Sequence, residues 1–254
     1  MEPKPPALRD PWRQLTELTS ARIALGRSGG SMPTRELLDF QRAHAYARDA
    51  VQQPFNPASL AAELGQLGVE TIIAASAAPD RKTYLTRPDL GRRLAEESRS
   101  RIAAQASPSD IAIIISDGLS APAAERQAAP LLAALLPLVR QERWNLAPLV
   151  VVSHGRVAIE DEIGSLLGAK AAVILLGERP GLTSPDSLGA YLVYDPRPGR
   201  TDAERNCISN IRPEGLPPAA AAQTLHYLLG ECLQRRLSGV GLKDERTVTQ
   251  LARQ

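Results

Sequence analysis

The chain is short of aromatic residues: Phe, Trp and Tyr make up 4% of its 254 residues. That is too few for the stacking platform of a single-strand nucleic-acid binder. It has two cysteines, Cys207 and Cys232, no CxxC pair and no clustered histidine, which argues against a disulfide scaffold and against a structural zinc site. No apolar run approaches the roughly 18 residues of a membrane span. The opening Met-Glu-Pro-Lys-Pro-Pro has no signal-peptide hydrophobic segment, so a cytosolic, reducing setting follows as the default. An excess of one charge is missing too, since the formal net charge is +2 and demands neither nucleic acid nor an acidic membrane. Neither GxGxxG nor GxxxxGK[ST] occurs, so the dinucleotide fingerprint and the P-loop are absent. Ser120 and Ser153 lack a GxSxG elbow, and Cys207 lacks a thiol-enzyme signature. Nothing in the sequence equips the chain for catalysis by itself.

What is present is the composition of a globular protein, 43% hydrophobic and 23% charged, long enough for one large domain or two small ones. Its organising stretch is Lys170 to Ser187. The apolar run Ala171 to Leu176 reads as a strand buried on both faces. Gly177 then permits a sharp exit, Glu178 and Arg179 place opposite charges at the carboxyl end, and Pro180-Gly181 turns the chain. In an open parallel sheet ligands bind outside the carboxyl ends of strands, so this loop is either a binding loop or a plain surface ion pair.

In chain order, residues 1–10 are Pro-rich and read as a mobile lead-in. Asp10-Pro11 reads as a helix start. The glycines at 26, 29 and 30 end any helix and leave Arg22 and Arg27 beside a flexible loop. A second helix runs from Pro33-Thr34 to about Val51, and a third from Asn56-Pro57 to a Gly68 cap. A short strand covers Glu70 to Ala75, and Arg81 to Ala104 reads as a charged helix interrupted at Pro88. From about residue 108 strands and helices alternate. Asp110 to Ser116 is a strand ending in Asp117-Gly118-Leu119-Ser120. A helix follows to about Arg140, which Pro130 and Pro137 kink or break. Leu149 to Ser153 is a strand ending in His154-Gly155-Arg156-Val157. Ala158 to Leu167 is a helix whose Glu160, Asp161 and Glu162 complement its dipole. The pattern predicts an α/β fold with a doubly wound parallel sheet, its polar loops converging on a crevice. Ala190 to Tyr194 is a further strand. The segment Gly199 to Gly215, with Arg200, Arg205, Asn206, Asn210 and Arg212, reads as a donor-rich recognition loop, and Pro217 to Leu237 as a closing amphipathic helix.

Several blocks in fixed order resemble one family: Ala21-Arg-Ile-Ala-Leu-Gly-Arg, Pro33-Thr-Arg-Glu-Leu-Leu-Asp-Phe, His44 to Asp49, Ile115-Ser-Asp-Gly-Leu, Gly155-Arg-Val, Gly164 to Ala169, Gly177-Glu-Arg-Pro-Gly-Leu, Ser184-Pro-Asp-Ser-Leu and Asn206-Cys-Ile-Ser-Asn-Ile. From about residue 12 to 243 the chain is similar to the small (light) subunit of ethanolamine ammonia-lyase. The resemblance implies an adenosylcobalamin-dependent lyase that converts ethanolamine to acetaldehyde and ammonia, working as a hetero-oligomer. A large barrel subunit carries the substrate and the radical chemistry, and the small subunit closes over the cofactor. It further implies a mainly helical region over 1–105 and a Rossmann-like cobalamin-binding domain over 106–254. Its cofactor contacts carry over to Val157, Glu178 and Cys207, with no catalytic residue and no protein metal ligand. The Asp-x-His-x-x-Gly motif, by which other cobalamin proteins replace the cofactor's own base, is absent. Some members enter a bacterial microcompartment through a longer N-terminal extension, and the stretch before Trp12 is short. Two other classes stay open on the residues alone: a stand-alone nucleotide-binding oxidoreductase and a purely structural interaction module.

Overall fold

The computed structural model describes residues 10–19 and 21–246, so the Pro-rich residues 1–9 lie outside it. Asp10 accepts a hydrogen bond from Trp12 N–H and starts a 3-10 helix, Pro11–Glu17. Helices α1 (Thr34–Gln52) and α2 (Pro57–Gly65) follow. Asn56 caps α2 by accepting from Ser59 N–H at 3.0 Å. Strand β1 (Thr71–Ala75) leads to two short helices, α3 (Arg81–Thr86) and α4 (Glu96–Ala103). The break between them falls at Pro88, because a residue before proline, here Arg87 at φ −126° and ψ 76°, is kept out of the helical region.

Strand β2 (Ser109–Ser116), helix α5 (Ala121–Gln141), strand β3 (Leu149–Ser153), helix α6 (Ile159–Leu166) and strand β4 (Ala169–Gly177) then alternate. Strands β5 (Leu188–Tyr194) and β6 (Arg205–Ile211) and helix α7 (Pro218–Arg235) complete the order. The described strands form one sheet in the order β1-β3-β2-β4-β5-β6. The first four run parallel, and the last two are antiparallel to their neighbours. Helices α2, α5 and α7 cover one face, where Ile111, Ile113 and Ile115 of β2 are fully buried. Helices α4 and α6 cover the other, against Ala112, Ile114 and Ile174.

Three expectations need correction. The sheet is mixed rather than parallel, because residues 178–187 between β4 and β5 are too few for a crossover of about a dozen residues or more. A connection that short returns the chain antiparallel. Helix α5 runs unbroken through Pro130 and Pro137. Both prolines face solvent, while Leu131, Leu132, Leu135, Leu136 and Val139 are buried. Burial of five such side chains at about 1.5–3 kcal/mol each outweighs about 3 kcal/mol per interior proline. The segment taken as a recognition loop contains an edge strand, β6, whose Ile208 and Ile211 face the α5/α7 core.

Candidate functional site

The loops after β2, β3 and β4 do converge, and they pack directly on one another. Gly118 (φ 51°) lies so close to β4 that an added Cβ would sit 2.3 Å from the Gly177 carbonyl oxygen. A Cβ on Gly177 would sit 2.1 Å from the Ser120 oxygen. Leu119 N–H donates to Gly177 O at 2.9 Å, so the two loops are locked backbone to backbone.

The space beside them is filled from α3. Arg81 Nη1 donates to Asp117 Oδ2 at 2.9 Å and to Gly118 O at 2.7 Å, and its Nε to Val51 O at 2.6 Å. His154 N–H donates to Asp117 Oδ1 at 2.7 Å. Tyr84, buried, donates to Gly155 O at 3.2 Å and lies under the guanidinium groups of Arg81 and Arg156, 5.0 and 4.2 Å from its ring. Burial raises the Asp117 carboxyl above its ordinary value, and the Arg81 charge draws it back down. The Ser-Asp-Gly and Ser-His-Gly-Arg motifs therefore belong to an internal network.

The open region lies on the α4/α6 side of the sheet. Helix α6 packs on β2 and β4, and the fully buried apolar layer beneath it ends at Val193 on β5, with the half-buried Tyr191 packed at its edge. Further along, Tyr191 of β5 and Cys207 of β6 are register partners, with Tyr191 half-buried and Cys207 exposed. Glu178, just past β4 and half-buried, stands beside them. Ser187 Oγ and Ser209 Oγ donate to its carboxylate at 2.5 and 2.6 Å, and Asn210 N–H donates at 3.2 Å. Gly189 leaves room for this arrangement: a Cβ there would meet Glu178 Oε1 at 3.1 Å and the Tyr191 ring at 3.2 Å. Burial of its sulfur holds the Cys207 thiol above its ordinary range; the hydrogen bond with Tyr191 lowers it and the Glu178 charge raises it further. The Tyr191 phenol is pushed up as well, first by burial and then by its neighbour Cys207. Val157, half-buried in the loop before α6, packs against the same apolar cluster as Tyr191. The structure thus puts Glu178 and Cys207 on one patch of one sheet face, while Val157 lies in the loop before α6, with no contact to that patch among the described residues.

The donors of residues 199–215 are engaged within the chain. Arg200 donates to Asp195 O at 3.0 Å and Oδ2 at 2.7 Å. Asn206 bonds Gly239 and Leu242, and Arg212 donates to Asn210 Oδ1 at 2.9 Å. Arg205 is buried, with Nη1 2.6 Å from Glu160 Oε1 and 2.9 Å from Asp161 Oδ1, and Nη2 2.6 Å from Asp161 Oδ2. Glu160 and Asp161 do occupy the first turn of α6, but as buried partners of an arginine rather than as solvated acids. Sequence reading missed Ser187, Gly189, Tyr191 and Ser209 at this patch, and read Arg205 as a recognition donor where it is a buried ion-pair partner beneath it. The usable signal was the pair of isoleucines at 208 and 211, which mark an inward strand face.

Comparison with known proteins agrees with the blocks of similarity. The model of the family described as ethanolamine ammonia-lyase light chain matches residues 9–243. A protein of Azotobacter vinelandii named ethanolamine ammonia-lyase small subunit is 56% identical over 255 residues, covering 99% of this chain and 94% of its own length. Proteins of the same name from Pseudomonas fluorescens and Xanthomonas campestris are 53% and 55% identical over 246 and 241 residues. They span 95% and 93% of this chain and 89% of their own lengths.

Proposed function

The chain belongs to the ethanolamine ammonia-lyase light-chain family, and on that footing we propose that its open β5–β6 face holds adenosylcobalamin against the family's large subunit. The chain is the small subunit of a lyase that turns ethanolamine into acetaldehyde and ammonia in a two-chain enzyme. The oxidoreductase alternative has no support in the family match.

The observation that carries the cofactor reading is the uncovered sheet face around Glu178, Gly189, Tyr191 and Cys207. Its chemistry fits a corrinoid, a broad ring with an apolar body and an amide-bearing rim. The Glu178 carboxylate has about four lone-pair sites, and three donors occupy it inside the chain. It is therefore oriented and still able to accept from an amide N–H. Gly189 keeps the surface low, as a methyl there would crowd Glu178 and Tyr191. Cys207 and Val157 offer small, weakly polar contact. In this reading Glu178 holds a rim amide, while Val157 and Cys207 pack against the cofactor body and exclude water.

Adenosylcobalamin, when bound, supplies the radical chemistry of the reaction. This chain positions and shields it, and moves no proton of the substrate. Co-expression with the large subunit tests the reading. Ethanolamine deamination should require both chains and adenosylcobalamin, and the purified small chain alone should form no acetaldehyde. Acetaldehyde formation by the single chain, or full activity of the large subunit without it, would overturn the assignment.

A further inference from the structure

The backbone does not require a glycine at position 189. Gly189 lies inside β5 without a positive φ, and glycine inside a strand weakens it. What the position requires is room. An added Cβ would lie 3.1 Å from Glu178 Oε1, 3.3 Å from Glu178 Cγ and 3.2 Å from the Tyr191 ring. Residues two apart in a strand share a face, so this room opens on the same sheet face as Tyr191.

The neighbouring strand is built to match. Leu188 pairs with Ile211 and Ala190 with Ile208, so Ser209 and Asn210 of β6 together oppose Gly189 alone. Such a β-bulge re-aims side chains and releases backbone groups from the ladder. Asn210 holds φ 61°, a left-handed conformation in which asparagine is enriched. The bulge brings two donors onto one group: Ser209 Oγ reaches Glu178 Oε1 at 2.6 Å, and Asn210 N–H reaches Oε2 at 3.2 Å. Ser187 Oγ is a second donor to Oε2, at 2.5 Å. Each carboxylate oxygen accepts about two hydrogen bonds. Oε2 is therefore full, while Oε1 keeps one place, and Oε1 is the oxygen beside the room that Gly189 leaves. All three donors are neutral, so they fix the carboxylate without cancelling its charge.

We propose that Ser187, Ser209 and Gly189 are positioning residues for the cofactor: the two hydroxyls, one aimed by the β6 bulge, hold Glu178 so that Oε1 offers a single acceptor place to one N–H donor of adenosylcobalamin across the gap at Gly189. The inference rests on the cofactor reading above and adds how that contact is aimed and how many donors it takes. The test is equilibrium dialysis of adenosylcobalamin against the co-expressed two-chain complex, with bound cofactor read from its visible absorbance. Ser187→Ala and Ser209→Ala should each raise Kd about two- to tenfold, the worth of one hydrogen bond. Ser209→Thr keeps the hydroxyl at an exposed strand position and should bind as wild type. Gly189→Ala should raise Kd although it removes no hydrogen bond. The kcat and the KM for ethanolamine at saturating cofactor should not change, and the isolated variant chains should keep wild-type circular dichroism and Tm. Over Glu178→Ala, the two serine-to-alanine changes should add nothing, because they act through the carboxylate. Losses that add to that of Glu178→Ala overturn the proposal, as does a Ser209→Thr variant as weak as Ser209→Ala. Wild-type affinity in Gly189→Ala, or in both serine-to-alanine variants, overturns it too. In each of these cases the wild-type complex still binds the cofactor and the cofactor reading stands. A wild-type complex that retains no adenosylcobalamin overturns the reading beneath the proposal.

Discussion

Cys207 can be read as a nucleophile or as a contact for the cofactor, and chemistry separates the two. As a nucleophile it would need a lowered pKa and a basic neighbour. Instead burial raises its thiol, and the nearest charge, Glu178, is negative. The thiol should therefore stay protonated at neutral pH, and alkylation by iodoacetamide should accelerate only above the ordinary thiol value of about 8.5. In the assembled enzyme adenosylcobalamin should protect it. Cys207→Ser should keep activity at saturating cofactor, while Cys207→Phe should raise the cofactor concentration needed for half activity, since a close contact resists added volume. Equal alkylation rates with and without cofactor would remove Cys207 from the cofactor surface.

At the scale of elements, the buried Arg205–Glu160–Asp161 cluster fastens β6 to the first turn of α6. Arg205 lies two residues before Cys207, and Glu160 three after Val157, so the clamp ties the strand that bears Cys207 to the helix that follows Val157. Arg205→Met would leave two carboxylates buried without their cation and should cost about 3–5 kcal/mol, read as a lower Tm. Burial raises the Glu160 carboxyl well above its ordinary range; Arg205 opposes the rise and the Asp161 charge adds to it. A buried acid shifted upward contributes fully below its unfolded value of about 4.3 and loses that contribution as pH climbs through its folded value. Glutamine does not titrate. The Tm of Glu160→Gln relative to wild type should therefore rise between about pH 4.5 and neutrality. A difference that stays flat across that range would show that Glu160 is not shifted.

For the whole molecule, the sequence made legible what local pattern encodes. The apolar runs of β2, β3 and β4 lie within a residue or two of their observed bounds, because fully buried strands carry little but aliphatic side chains. Illegible was whatever depends on partners distant in the chain. The antiparallel turn at β5 was hidden in the length of residues 178–187, and β6 was masked by donors that the fold itself uses. The carboxyl ends of β2 and β4 looked like an open crevice until Gly118 and Gly177 were brought into backbone contact. Glu178, Cys207 and Val157 were named from resemblance, but that Glu178 and Cys207 share one sheet face follows only from the register of β5 with β4 and β6.

The most direct test of that face is the adenosylcobalamin dependence of ethanolamine deamination in the two-chain enzyme carrying Glu178→Gln. Losing the charged acceptor should cost about 1–2 kcal/mol of cofactor binding, roughly a five- to thirtyfold rise in half-saturating cofactor, with the KM for ethanolamine nearly unchanged. Unchanged cofactor affinity together with an altered ethanolamine KM would contradict the account and move Glu178 to the substrate.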